Sequence, residues 1–266
     1  MSLFSEFDCF LLDMDGVLWL SDTPIPSGVA FANRIIEEGK QRLFLTNNSK
    51  LLRESYREKL TGMGIVGVTV EEIITSGFAT AAWLRRERRL EGATAFVMGG
   101  HGLKTEIASS GLVLVEPEGA IGSTYVIVGW DTELSFERLK AASLAIRAGS
   151  EFIASNDDAT YPTPDGLWPG AGAIVSAVVT ASGRQPVTIG KPHPEMMEMA
   201  LSVSGCVRER TLVIGDRLET DILGGINAGL KTLLVLTGVA TREDVAASSI
   251  RPDMVVDDLS SVLAGA

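Results

Sequence analysis

The chain has few of the residues that build disulfide scaffolds or soft-metal centres. It contains two cysteines, Cys9 and Cys206, and two histidines, His101 and His193. Two thiols cannot form a disulfide framework, and neither has a ligand neighbour at zinc spacing. No apolar run approaches the roughly 20 residues that a membrane span needs. Positive charge is also scarce: 23 Lys and Arg against 34 Asp and Glu leave a formal net charge of −11. Such a surface repels phosphate backbones and anionic lipid heads, so neither nucleic acid nor membrane is expected as a partner. The opening MSLFSEFDCFLLD has no basic segment and no small-residue cleavage site, so the expected location is cytoplasmic.

What is present is a globular composition, 45% apolar and 21% charged over 266 residues. At about 150 residues per domain that length predicts two domains. Short apolar runs alternate with helical patterns at both ends of the chain. Phe7–Leu12, Arg42–Leu45, Ile73–Thr75, Thr211–Ile214, Thr232–Leu236 and Met254–Val256 are expected strands. Between them Gly28–Gly39, Leu51–Met63, Glu195–Val203 and Thr220–Ala228 are expected helices. That order predicts an α/β fold with an open parallel sheet covered on both faces. The middle repeats the alternation, with strands at Ala93–Met98, Tyr125–Val128 and Glu151–Ala154 and helices at Leu103–Ser109, Phe136–Arg147 and Gly172–Thr180. The expected organisation is therefore a core formed by 1–77 and 187–266, interrupted by a second α/β domain at 78–186.

In parallel sheets, ligands bind beyond the carboxyl ends of the strands. The first strand runs into Asp13-Met14-Asp15-Gly16, and Gly16 permits the turn that brings both carboxylates to one pocket. An Asp carboxylate is a possible nucleophile toward phosphorus, and its hard oxygens suit Mg²⁺; a solvated turn would use the same residues. The second strand runs into Thr46-Asn47-Asn48-Ser49, whose donors suit a tetrahedral oxyanion while Ser49 is also placed to cap a helix. Lys191, in Gly190-Lys191-Pro192, follows the strand-like Val187–Ile189 and offers a point charge for a phosphate or for crowded carboxylates. After Leu212-Val213-Ile214 comes Gly215-Asp216-Arg217-Leu218-Glu219-Thr220-Asp221. There Asp216 could complete a metal site with Asp13, and Asp221 could orient a ligand or serve a helix N-terminus.

This order of motifs resembles the haloacid dehalogenase (HAD) superfamily of aspartate-nucleophile phosphotransferases. Thr46-Asn47-Asn48-Ser49, Gly170-Ala171-Gly172-Ala173, Gly190-Lys191-Pro192 and the segment from Gly215 to Asp221 are similar to its NagD-like, class IIA branch. That branch includes p-nitrophenyl, phosphoglycolate and pyridoxal phosphate phosphatases. The resemblance spans Phe7 to about Gly238 and implies a Rossmann-like HAD core with an inserted α/β class II cap domain. It also implies roles. Asp13 would attack phosphorus, and Asp15 would act as general acid and then general base. Thr46, Asn47 and Lys191 would bind the phosphoryl group. Mg²⁺ would sit on Asp13, the Asp15 carbonyl and Asp216, with Asp221 supporting its water shell. A second Asp at position 15 favours phosphate ester hydrolysis over dehalogenation.

A cap between the second and third motifs favours small phosphorylated metabolites as substrates and makes a homodimer through the cap a family expectation. Ser155–Gly166 resembles the substrate-facing cap loop, making Asp157, Asp158 and Tyr161 candidate leaving-group contacts, and Asn48, in the second motif, is a further candidate substrate contact; Tyr161 where pyridoxal phosphate phosphatases have His weakens the case for that substrate. Trp19 could face the cap or simply pack. His193 is expected in a rigid turn, His101 in a cap turn, and the run from Arg85 to Arg89 on an exposed helix face. A phosphotransferase or mutase acting on sugar phosphates, and a non-catalytic binding protein, are the alternatives.

Overall fold

A computed structural model describes residues 3–163 and 165–263. Pro164, in the expected cap loop, lies outside the described residues. The chain forms two compact units: 1–46, 53–74 and 191–266 make the first, and 47–52 with 75–190 the second.

The first unit is built on a sheet in the order Met254–Val256, Lys231–Val235, Thr211–Gly215, Cys9–Asp13, Gln41–Thr46, Ile73–Thr75. The four pairings from Met254–Val256 through Gln41–Thr46 are parallel. Cys9–Leu12 and Thr211–Gly215 are buried at every position, the pattern of strands covered on both faces. The helix Pro26–Glu37 starts with proline at a position that needs no N–H donor, and it buries Gly28, Phe31, Ala32 and Ile35 at helical spacing. Phe31 meets Phe4 and Phe10 at ring-centroid distances of 5.5 and 5.6 Å, forming the aromatic centre of this core. Each such ring contributes roughly 1.5–3 kcal/mol by leaving water.

The second unit has its own five-stranded parallel sheet, ordered Val187–Thr188, Glu151–Ala154, Tyr125–Val128, Thr94–Met98, Val113–Val115. Phe96, Val126, Val128 and Phe152 pack with Ile174, Val175 and Val178 of the helix Ala171–Ser182 in a separate core. The helix Phe136–Arg147 is capped by Ser135, whose side chain accepts the Arg138 N–H.

Several local expectations shift. The strand Val187–Thr188 pairs in the second unit's sheet, so a core segment beginning at 187 starts one strand early. The following helix begins at Arg53, so Ser49 lies short of its N-cap position. The expected helix Thr220–Ala228 is present but starts earlier, as a π-helical turn, Leu218–Ile222, that runs into an α-helix, Leu223–Asn227. The arginine run is not one helix face. The helix ends at Glu87, while Arg88 donates to Glu151 at 2.6 Å and lies 4.4 Å over the Trp83 ring. His101 opens a helix, His101–Ser109, instead of sitting in a turn. Pieces without a sequence expectation include Val113–Val115, the hairpins Trp19–Leu20/Thr23–Pro24 and Thr160–Thr163/Gly166–Pro169, and the short helices Leu3–Glu6 and Arg242–Ala247. Among the described residues, no helix is long and apolar enough to cross a membrane.

Candidate active site

Three neighbouring strands of the first unit end together at one edge of its sheet. Asp13 closes the strand Cys9–Asp13, Thr46 closes Gln41–Thr46, and Asp216 follows Thr211–Gly215. Parallel pairing puts all three strand ends on the same side, the side where such sheets bind ligands. Lys191 enters this unit as its first residue after the second unit, across a cis Lys191–Pro192 bond.

Lys191 organises the carboxylates. Its buried ammonium lies 2.5 Å from Asp13 Oδ1 and 2.6 Å from Asp221 Oδ1. Asp221 Oδ2 accepts the Arg217 N–H at 3.2 Å, which ties the carboxylate to the turn that carries it. Asp216 Oδ2 accepts the Val239 N–H at 2.7 Å, and the Asp216 carbonyl accepts the Ala240 N–H at 3.0 Å. The close packing demands glycine. Gly16 has φ +80°, and a Cβ there would overlap the Asp216 carboxylate; one on Gly238 would do the same.

One oxygen from each of Asp13, Asp216 and Asp221 lies within 4.8 Å of the others. Three carboxylates are thus gathered around a single buried ammonium, Asp216 and Asp221 buried and Asp13 partly so. The electrostatic consequences follow from that imbalance. Burial, then the charge of Asp221, pushes the Asp13 carboxyl well above the ordinary range, with Lys191 opposing. Burial and Asp221 likewise push Asp216 up to about 7, although the Val239 amide and Arg217 pull it down. Burial alone would lower the Lys191 ammonium, but Asp13 and Asp221 override it and hold the charge firmly in place. A divalent cation fits this donor set. Hard oxygens are what Mg²⁺ or Ca²⁺ takes, and a cation would neutralise the surplus negative charge.

Asp15 lies outside that carboxylate cluster and is held differently. Its Oδ1 accepts the indole N–H of Trp19 at 2.8 Å. Trp19 is buried, at 1% exposure. The residues expected to contact the rest of the substrate lie in the second unit. There Asn47 donates to Asp158 Oδ1 at 3.0 Å, and Asn48 donates to the Tyr161 hydroxyl at 3.3 Å. Tyr161 stacks on Trp130 with ring centroids 4.4 Å apart, while Asp157 is exposed. The sequence reasoning overlooked the amides of Val239 and Ala240. They follow the strand Lys231–Val235, so the rule that found Asp13, Thr46 and Asp216 would have found them as well.

Known proteins are similar to this chain in sequence and fold. Residues 10–113 match the haloacid dehalogenase-like hydrolase family, and residues 188–262 match a HAD-hydrolase-like family. An acid sugar phosphatase of Staphylococcus saprophyticus is 37% identical over 258 residues, covering 97% of each chain. The crystal structure of a 4-nitrophenylphosphatase from Thermotoga maritima is 36% identical and superposes with a TM-score of 0.90, covering 100% of this chain and 99% of the other. A glycerol phosphate phosphatase of Mycobacterium tuberculosis, solved in complex with magnesium, is 34% identical with a TM-score of 0.90; 98% of this chain and 78% of that one are covered. The same enzyme has also been solved in complex with calcium. The chain belongs to the haloacid dehalogenase-like hydrolases, as a phosphatase of their NagD-like branch.

Proposed function

We propose that the chain hydrolyses small phosphate monoesters, sugar and polyol phosphates foremost, through an aspartyl-phosphate on Asp13 and with Mg²⁺ as cofactor. The observation that carries this reading is the Lys191 ammonium set between the Asp13 and Asp221 carboxylates, at 2.5 and 2.6 Å. The substrate class draws support from the acid sugar phosphatase and glycerol phosphate phosphatase relatives.

Asp13, Asp216 and the backbone at Asp15 would hold the cation, with Asp221 steadying its surroundings. When bound, Mg²⁺ supplies positive charge that offsets the repulsion between a carboxylate and a phosphate dianion. Lys191 supplies the rest of that offset, favours the ionised form of Asp13 and aims it, because its Nζ already holds Asp13 Oδ1. Thr46 and the Asn47 amide bind phosphoryl oxygens. The other Asp13 oxygen forms the bond to phosphorus as the ester P–O bond breaks, and its electron pair leaves with the alcohol oxygen. Asp15 gives that oxygen its proton. Asp15, now a carboxylate, then takes a proton from the water that attacks the aspartyl-phosphate, which releases phosphate and restores Asp13. General acid–base work of this kind contributes about 10²–10⁴-fold.

The test is a phosphate-release screen over glycerol phosphate, sugar phosphates, phosphoglycolate, pyridoxal phosphate and p-nitrophenyl phosphate, with Mg²⁺ and with chelator. Activity that needs Mg²⁺, ranks sugar and polyol phosphates first and disappears in Asp13→Asn is expected. Robust turnover in chelator would overturn the mechanism.

A further inference from the structure

Trp19 is a buried aromatic, bonded to Asp15, that the chemistry so far leaves unused. Its position is set by a tight turn immediately after the first strand. The Leu18 N–H donates to the Met14 carbonyl at 2.8 Å, and the Gly16 N–H donates to the Trp19 carbonyl at 2.7 Å. The turn folds the chain back so that Asp15 and Trp19 face each other across a short bridge. From there Trp19 enters the hairpin Trp19–Leu20/Thr23–Pro24.

The indole is held from a second direction. Lys59, on the helix Arg53–Gly62, places its ammonium 4.4 Å from the centroid of the Trp19 ring and donates to the Ser21 carbonyl at 2.9 Å. A cation over the ring and a bond to the hairpin tip both oppose rotation of the side chain. The ring therefore presents its one polar atom to Asp15 in a fixed direction. An indole N–H only donates, so it occupies Asp15 Oδ1 and leaves Oδ2 to carry the proton.

We infer that Trp19 is a positioning residue for proton transfer by Asp15: the indole N–H fixes which carboxyl oxygen delivers the proton and where it points, and Lys59 fixes the indole. This rests on the proposed role of Asp15. The step itself is the one above, with the proton passing from Asp15 Oδ2 to the leaving oxygen as the P–O bond breaks. Misplacing a reacting group by about 1 Å can cost ~10²-fold, and a full general acid is worth ~10²–10⁴-fold.

A packing role and a positioning role differ in one measurable respect. An alkoxide needs a proton to leave, whereas nitrophenolate does not, and kcat/KM reports the steps up to departure of that group. The experiment compares kcat/KM for glycerol phosphate with that for p-nitrophenyl phosphate in wild type, Trp19→Phe, Asp15→Asn and the double variant. Should Trp19→Phe fold poorly, benzothienylalanine at position 19 keeps the ring shape and replaces only N–H by sulfur. The ratio of the two kcat/KM values is expected to fall about 10- to 100-fold when the N–H is removed. In the Asp15→Asn background the same change should leave the ratio where Asp15→Asn alone puts it. An unaltered ratio on removing the N–H, whether or not both rates fall together, would overturn the inference while leaving Asp15 in its role. An unaltered ratio in Asp15→Asn itself would remove that role, and the inference with it.

Discussion

Both units are parallel sheets flanked by helices, and both carry a buried carboxylate just beyond a strand end. In the second unit that residue is Asp131, after the strand Tyr125–Val128, and it is fully answered. Arg138 contacts Asp131 Oδ2 at 2.9 and 3.0 Å, and the Glu133 N–H donates to its Oδ1 at 2.9 Å. In the first unit Asp13 and Asp221 share one ammonium, and Asp216, clustered with them, is answered by backbone N–H groups. The architecture is the same and the charge balance is not. A matched pair such as Asp131–Arg138 has little left to offer a ligand, whereas a surplus of buried carboxylate stores a demand for a cation and for an electrophile. On the proposed function, activity resides in that imbalance and not in the fold that the two units share.

The comparison can be broken most forcefully at Asp13. Asp13→Asn is expected to lower kcat for any phosphate ester by at least about 10⁴-fold with little change in melting temperature, as measured by phosphate release and circular dichroism. Asp131→Asn should do the reverse. It strands the Arg138 charge and is expected to cost about 3–5 kcal/mol of stability in urea titrations, and added Mg²⁺ should not restore that loss. Turnover lost in Asp131→Asn with stability intact would mean that the two carboxylates are less different than their surroundings suggest.

A third prediction follows from protonation. Because burial and Asp221 push Asp216 up to about 7, the metal-free site binds a proton that the unfolded chain releases near pH 4. The cation must displace that proton. Mg²⁺ affinity measured by calorimetry is therefore expected to rise with pH through about 7, with protons released on binding. In the absence of metal the sign for stability is opposite: the Asp216 contribution is complete below pH 4 and is lost as pH rises through about 7. Wild-type and Asp216→Asn melting temperatures, compared in chelator across pH 4–8, should converge at low pH and separate toward neutrality, with the wild type falling below the variant. The smallest expected effect is local to the second unit. Ser135→Ala removes the N-cap of the helix Phe136–Arg147 and should cost about 1 kcal/mol of stability without altering kcat.

The parts of this arrangement that were legible in the sequence are those with long or repeated signals. Buried strands such as Cys9–Asp13 appear as unbroken apolar runs, and Asp13, Thr46 and Asp216 could be located because each closes or follows one. Lys191 was found by the same rule, although the strand ahead of it, Val187–Thr188, proved to pair within the second unit's sheet. Two residues of strand carry no periodicity, so the hairpin at Trp19 was invisible. With it went the indole bond to Asp15, which depends on the turn from Met14 to Gly16 and not on spacing. The pairing of Asp131 with Arg138 was hidden for a related reason. Seven positions along the chain say nothing until Ser135 starts the helix that turns Arg138 back toward the strand end.

The central claim is that the unbalanced carboxylate cluster makes Asp13 a nucleophile. Rapid acid quench during turnover of a phosphate ester labelled in its phosphoryl group, followed by peptide mass spectrometry, tests this most directly. The expected result is a phosphoryl group on Asp13 that hydroxylamine removes, that accumulates in Asp15→Asn and that is absent from Asp13→Asn. Sustained phosphate release with no label on Asp13, or with label on another residue, would contradict it.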